Sequence, residues 1–176
     1  MNKLIKFAFL VVTLLLPVMI FTFLKLFGNN KFDVEIMYLE GVPERYQNEC
    51  SIGSGQYAVS DFVLDQGKGL KIVAFDNDAE ALELKNISIR LSELFKETIS
   101  FRVLSTVGKE SVFYKTISVS VEDYRKYVSC NFILEDLNKL VLLDSKNRIR
   151  GYYSRDLDEI DRLIVEMKIL LENGVD

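Results

Sequence analysis

Histidine is absent from the chain. Without it serine–histidine–aspartate catalysis is excluded, because no imidazole stands ready to take a serine proton. Cysteine is almost absent too. Cys50 and Cys130 lie 80 residues apart and make neither a CxxC pair nor a zinc-ligand spacing. The nine glycines include "GSG" and "GKG", but neither run opens a helix after a strand, so no phosphate-binding loop is encoded. Positive charge is scarce where a folded domain would be. Three of the 22 basic residues (Lys3, Lys6 and Lys25) precede residue 30, leaving 19 against 26 acidic ones, a formal −7. A domain of that sign, with no basic stripe, repels phosphate backbones, and nucleic acid is excluded as a partner. No internal repeat or low-complexity segment is visible.

What is present begins with an apolar run. From residue 7 to residue 24 the chain reads "FAFLVVTLLLPVMIFTFL", long enough as a helix to cross about 30 Å of hydrocarbon. It is longer than the apolar core of a secretory signal peptide and "KLFGNN" after it holds no small-x-small cleavage site. An uncleaved signal anchor over residues 1–30 is therefore expected, meeting the membrane through residues 4–27. Pro17 kinks such a helix without forbidding it. The short leader with Lys3 and Lys6 places the N-terminus inside and the remainder outside. An oxidising outer compartment would permit a disulfide between Cys50 and Cys130. Two unrelated buried thiols are the alternative reading.

Residues 31–56 read as a tether, with turn formers in "GNNKF" and "CSIGSGQ" around an alternating "FDVEIMYL" that could pair as an edge strand. A folded domain is expected over 57–174. "VSDFVL" and "LKIVAF" read as strands, followed by a helix whose Leu84, Ile87, Leu91, Leu94 and Phe95 recur at helical spacing. "ISFRVLS" and "TISVS" are further strands, and "EDYRKYV" a helix entered near Ser120 and Asp123. "KLVLLD", the turn "SKN" and "RIRGYYS" form a hairpin. Asp156 with Glu159 resembles a capping box before a helix that presents Leu157, Ile160, Leu163, Ile164, Met167, Leu170 and Leu171 on one face. A βαβ unit followed by ββα is the thioredoxin order, so the expected class is α/β: a thioredoxin-like domain behind one transmembrane helix.

At the junction of strand and helix, "FDNDAEALE" offers only carboxylates and an amide. Asp76, Asp78 and Glu80 match three positions of a calcium loop, but Ala81 and Ile87 stand where glycine and glutamate are required. Acidic residues there serve the free N–H groups of a helix start. Of Tyr152 and Tyr153, one ring is expected to pack inward and one at the surface.

"KLVLLDSKNRIRGYYSRDLDEIDRLIVEMKILL" resembles the C-terminal hairpin and helix of the Sco (SenC) family, with "LVLLD…IRGYY" the most specific part. "YAVSDFVL" and "FRVLSTV" are similar to earlier segments of that family, although Gly108 and Lys109 stand where it usually has Asp-Pro. The likeness covers roughly residues 57–172. It implies a membrane-anchored, thioredoxin-like protein of the kind that delivers copper to cytochrome c oxidase. Family members hold copper with two cysteines spaced CxxxC at the strand–helix junction and a late histidine. The matching positions here are Asp78, Leu82 and, near the hairpin, Asp136. Carboxylates and leucine are poor ligands for Cu(I), so the resemblance implies a lost copper site and no cofactor. The expected function is partner binding without enzymatic activity, in a bacterial inner membrane with the domain in the periplasm. Respiratory oxidase assembly proteins or an intact Sco protein are the implied partners. The alternatives are a thiol–disulfide protein using Cys50 and Cys130, and copper delivery with ligands completed by a partner.

Overall fold

The computed structural model describes residues 3–27, 33–60, 69–76, 81–108, 111–122 and 124–174. They fall into two compact units, residues 1–32 and residues 33–176. The first unit is helix α1 (Lys3–Phe27), 25 residues with Pro17 inside. At 1.5 Å per residue it is about 37 Å long, sufficient for a bilayer core. Thr13 and Thr22 each donate their hydroxyl to the carbonyl four residues back, which leaves no polar side-chain group of theirs seeking water. This helix fits a single-pass membrane anchor.

The second unit is built on a five-stranded sheet in the order β3-β2-β1-β4-β5. Its elements are α2 (Glu44–Cys50), β1 (Leu70–Phe75), α3 (Ala81–Phe95), β2 (Ile99–Ser105), β3 (Lys115–Ser118), α4 (Tyr124–Phe132), β4 (Leu140–Leu143), β5 (Ile149–Tyr153) and α5 (Leu157–Asn173). β1 pairs parallel to β2 and β2 to β3, while β4 runs antiparallel to both β1 and β5. This βαβ unit with an appended ββα hairpin and helix is the thioredoxin-like topology.

β1 is buried throughout, and its side chains alternate between two cores as strand geometry requires. Ile72 and Ala74 join Leu140, Leu142 and Tyr153 under Leu84, Leu91, Leu163 and Met167 of α3 and α5. Val73 and Phe75 face the other way, with Val141, Leu143 and Ile149 beneath Val128 and Phe132 of α4. Phe75 and Phe132 meet edge to face, their centroids 5.1 Å apart. α5 begins as its sequence predicts: the Asp156 carboxylate accepts from Glu159 N at 3.1 Å. The reciprocal half of the box is not made, because the Glu159 carboxylate pairs with Arg162 instead. Leu157, expected on the buried face, is 67% exposed; it stands at the first position of α5, before the helix reaches the sheet.

Residues 33–56 of the expected 31–56 tether, with 57–60 after them, have buried side chains and bonds to the hairpin. Val34, Val42 and Val59 are buried, and the segment is seated on the hairpin by Met37 N to Ile149 O and Val59 N to Asn147 O, both 2.9 Å. Arg150 donates to the Val34 carbonyl at 2.6 Å. The described part of "FDVEIMYL", residues 33–39, forms no strand: Met37 N reaches Ile149 O and Tyr38 O accepts from Gly41 N and Tyr57 N, too few bonds for a ladder. The strand expected at "VSDFVL" lies mostly outside the described residues.

Both tyrosines of "IRGYY" are taken up, on opposite sheet faces. Tyr153 is fully buried and donates to the Glu166 carboxylate at 2.5 Å. Tyr152, of a pair in which one ring was expected at the surface, is half-buried and donates to Phe132 O at 2.7 Å. Gly151 lets the Tyr153 ring lie against the strand: a Cβ there would stand 2.5 Å from the phenol oxygen.

Candidate functional site

In open α/β sheets ligands enter at the carboxyl ends of strands, beside the strand where the order reverses. Here that strand is β1, with β2 on one side and β4 on the other. Its last described residue before the helix is Asp76, half-buried. Asp76 N donates to Leu104 O at 2.8 Å, and its Oδ2 accepts from the Ser105 hydroxyl at 3.2 Å. The Tyr124 phenol reaches over from the start of α4 and donates to the carbonyls of Asp76 and Leu104, at 3.3 and 3.2 Å. Burial, and next to it the negative charge of Asp76, push the Tyr124 phenol up to about 12.

The opposite wall carries a residue whose role was not legible in the sequence. Arg155 follows β5, and its side chain is only 4% exposed. Its Nη2 donates to Phe75 O at 2.7 Å and to Leu137 O at 3.0 Å. Its Nη1 lies 3.9 Å from the Glu83 carboxylate in the first turn of α3. One guanidinium thus bridges the end of β1 and the loop before β4, with the start of α3 alongside.

The three positions aligned with copper ligands fare differently. Asp78 lies outside the described residues. Leu82 is on the exposed side of α3, 70% accessible. Asp136 is exposed in the loop after α4, where its Oδ1 accepts from Asn138 N at 3.0 Å and its carbonyl from Lys139 N. Its carboxylate shapes a turn. Among the described residues no three of cysteine, aspartate and glutamate gather as a metal site would need. A hydrogen-bonded carboxylate, an aliphatic side chain and a fixed guanidinium do not fit a copper ion, which calls for thiolate or imidazole donors.

The cysteines are elsewhere. Cys50, the last residue of α2, is bonded to Cys130 of α4. Their Cα atoms are 5.4 Å apart, inside the range a disulfide tolerates. Around the bridge, the Tyr57 phenol donates to the carbonyls of Cys130 and Asn131 at 2.9 and 3.0 Å, and Arg45 pairs with Glu135 at 2.6 Å. Burial lifts the Tyr57 phenol to about 12. Both cysteines are half-buried and line a cleft of about 620 Å³ together with Glu49, Arg125, Lys126, Ser129 and the loop from Leu134 to Asn138. Leu137 therefore belongs to both places: it walls the cleft and accepts from Arg155.

No family model matches the chain, and no curated protein matches it. Solved structures do. A SCO1/SenC family lipoprotein from Bacillus anthracis is 14% identical with a TM-score of 0.48, covering 61% of this chain and 84% of that one. The thioredoxin domain of a thiol-disulfide oxidoreductase from Bacteroides vulgatus is 12% identical with a TM-score of 0.48, covering 58% and 82%. Copper-bound Sco1 from yeast is 12% identical with a TM-score of 0.43, covering 59% and 81%. At these identities the likeness is one of fold, and the topology stands on the chain's own strand order.

Proposed function

We propose that the protein is a membrane-anchored, Sco-like thioredoxin-fold protein that binds a partner outside the membrane and holds no copper at its strand–helix junction. The observation that carries this reading is the junction itself. The end of β1 is closed by Tyr124, Ser105 and Arg155, and the chain's two cysteines are bonded between α2 and α4. Among the described residues, the polar groups of Asp76, Ser105, Tyr124 and Arg155 at this end are bonded within the chain. The anchor suits a bacterial inner membrane with the domain in the periplasm, and the family resemblance points to respiratory oxidase assembly, through an oxidase component or an intact Sco protein.

Three measurements test it. The full chain in detergent should take up no stoichiometric Cu(I) in competition with a modest chelator, and tight binding there would refute the copper-free reading. A photo-crosslinking residue at Leu82, exposed on the first turn of α3, should capture an oxidase assembly component in cells. Crosslinks to lipid alone, together with unchanged oxidase levels after deletion, would remove the partner role. Restoring the ligands as Asp78→Cys, Leu82→Cys and Asp136→His, with neighbouring registers, asks whether the frame still accepts copper. Uptake by the triple variant and by none of the single ones is the expected result.

A further inference from the structure

We infer that the Cys50–Cys130 disulfide is a thiol-exchange site, reduced by a dithiol protein whose thiolate attacks Cys50 and expels Cys130. This concerns the cleft between α2 and α4 and holds whether or not the junction binds a partner.

Access comes first. Both cysteines are half-buried rather than sealed, and they sit in the wall of the 620 Å³ cleft. The neighbourhoods of the two sulfurs then differ, and exchange is fastest when the departing sulfur is the better thiolate. Lys126 lies one helical turn before Cys130 on the same side of α4, with Arg125 beside it in the cleft wall. The Ser129 hydroxyl donates to Lys126 O at 3.4 Å and has the Cys130 sulfur at 4.0 Å. Positive charge lowers a thiol's pKa, and the two basic residues share the cleft wall with the Glu135 and Asp136 carboxylates. Cys50 follows Glu49 directly, and it ends α2, where the negative end of the helix dipole opposes a thiolate. α4 continues only two residues past Cys130, so both sulfurs stand in a last helical turn, and what distinguishes them is Glu49 directly before Cys50 and Lys126 one turn before Cys130.

The chemistry balances with a dithiol donor. Its first thiolate bonds to the Cys50 sulfur as the Cys50–Cys130 bond breaks, and the electron pair leaves on Cys130, which takes a proton from water. The donor's second thiol then gives up its proton and attacks its partner sulfur in the mixed disulfide, releasing Cys50 as a thiolate that is protonated in turn. The donor is oxidised to its disulfide, and the cleft gains two electrons and two protons. The end of α4 stays in place after reduction, because Tyr57 and Tyr152 still donate to the carbonyls of residues 130 to 132.

The test uses the full chain in detergent micelles and a thioredoxin-class dithiol protein. With the donor's resolving cysteine changed to serine, the mixed disulfide is trapped and mapped by peptide mass spectrometry. The adduct is expected on Cys50 over Cys130 by roughly tenfold. With the intact donor and no denaturant, the rate should rise in proportion to donor concentration, and Lys126→Gln should slow it severalfold. An adduct mainly on Cys130, a rate unaffected by Lys126→Gln, or a rate independent of donor concentration (reduction waiting on global unfolding) would each overturn the assignment.

Discussion

Replacing Arg155 by methionine isolates what its guanidinium does, since methionine keeps most of the aliphatic stem's packing. Two bonds from a charged donor disappear, to Phe75 O and Leu137 O, and such bonds are worth about 1.5–3 kcal/mol each. The Glu83 contact adds little, because it is 3.9 Å long and its carboxylate is 46% exposed; pairs of that kind contribute about 0–1 kcal/mol. Against the loss stands the desolvation of a cation that no longer has to be buried. The net expectation is a destabilisation of about 2–4 kcal/mol, mostly from two carbonyls left without a donor. Urea unfolding of residues 33–176 reads it as a lower midpoint at constant slope. Hydrogen exchange supplies a local reading: the amides of Asn138 and Lys139, which depend on the turn at Asp136, should exchange on the order of tenfold faster as the loop loosens. Arg155→Lys, with a single point donor, should recover part of the loss. A change below about 0.5 kcal/mol with unaltered exchange would show that the guanidinium does not hold the loop to β1, and the closed-junction argument would fail.

Gly151→Ala should cost about 1–3 kcal/mol, because the added Cβ meets the Tyr153 ring and pulls its phenol from Glu166; an unchanged urea midpoint would contradict that packing. Burial raises the phenols of Tyr57 and Tyr124 to about 12, so their neutral forms favour the fold. That contribution is complete below the unfolded value near 10 and is lost as pH climbs through 12. Stability should therefore fall from about pH 10 upward, and ultraviolet absorbance of the folded domain should show only part of the eight tyrosines ionising near 10, whereas all eight titrating together there would refute it. Alkaline-phosphatase fused after residue 176 should be active, and a fluorescent protein folding only in the cytoplasm should be dark; the reverse pattern would invert the membrane orientation.

The elements legible in the sequence are those with strict periods. β1 and β4 are continuous apolar runs, and α3 and α5 repeat at helical spacing, so the thioredoxin order could be read before any coordinates. The seating of residues 33–60 was not legible because Val42 and Val59 stand in a polar, turn-rich stretch and the alternation around Val34 reads as an edge strand, whereas Val34, Met37 and Val59 bond to hairpin residues more than 80 positions away. Leu157 carried the right period but stands before the sheet begins to cover α5. Arg155 gave no signal, since a charged residue beside a helix cap reads as solvent-exposed. Its burial depends on two carbonyls supplied from distant parts of the chain. The Cys50–Cys130 bond depends likewise on how α2 and α4 are brought together, which spacing alone does not encode.

The seating of residues 33–60 on the hairpin sets a timetable for synthesis. Arg150 lies 116 residues after the Val34 carbonyl it binds, and at about 5–20 residues per second that interval lasts roughly 6–23 s. Throughout it the valines emerge ahead of the surface that will cover them. Cys130 arrives sooner, 80 residues after Cys50, so an oxidising compartment can close the covalent loop before the hairpin is made. A nascent chain of this design waits for its own C-terminus, and a holdase that recognises short apolar segments would meet it during that wait.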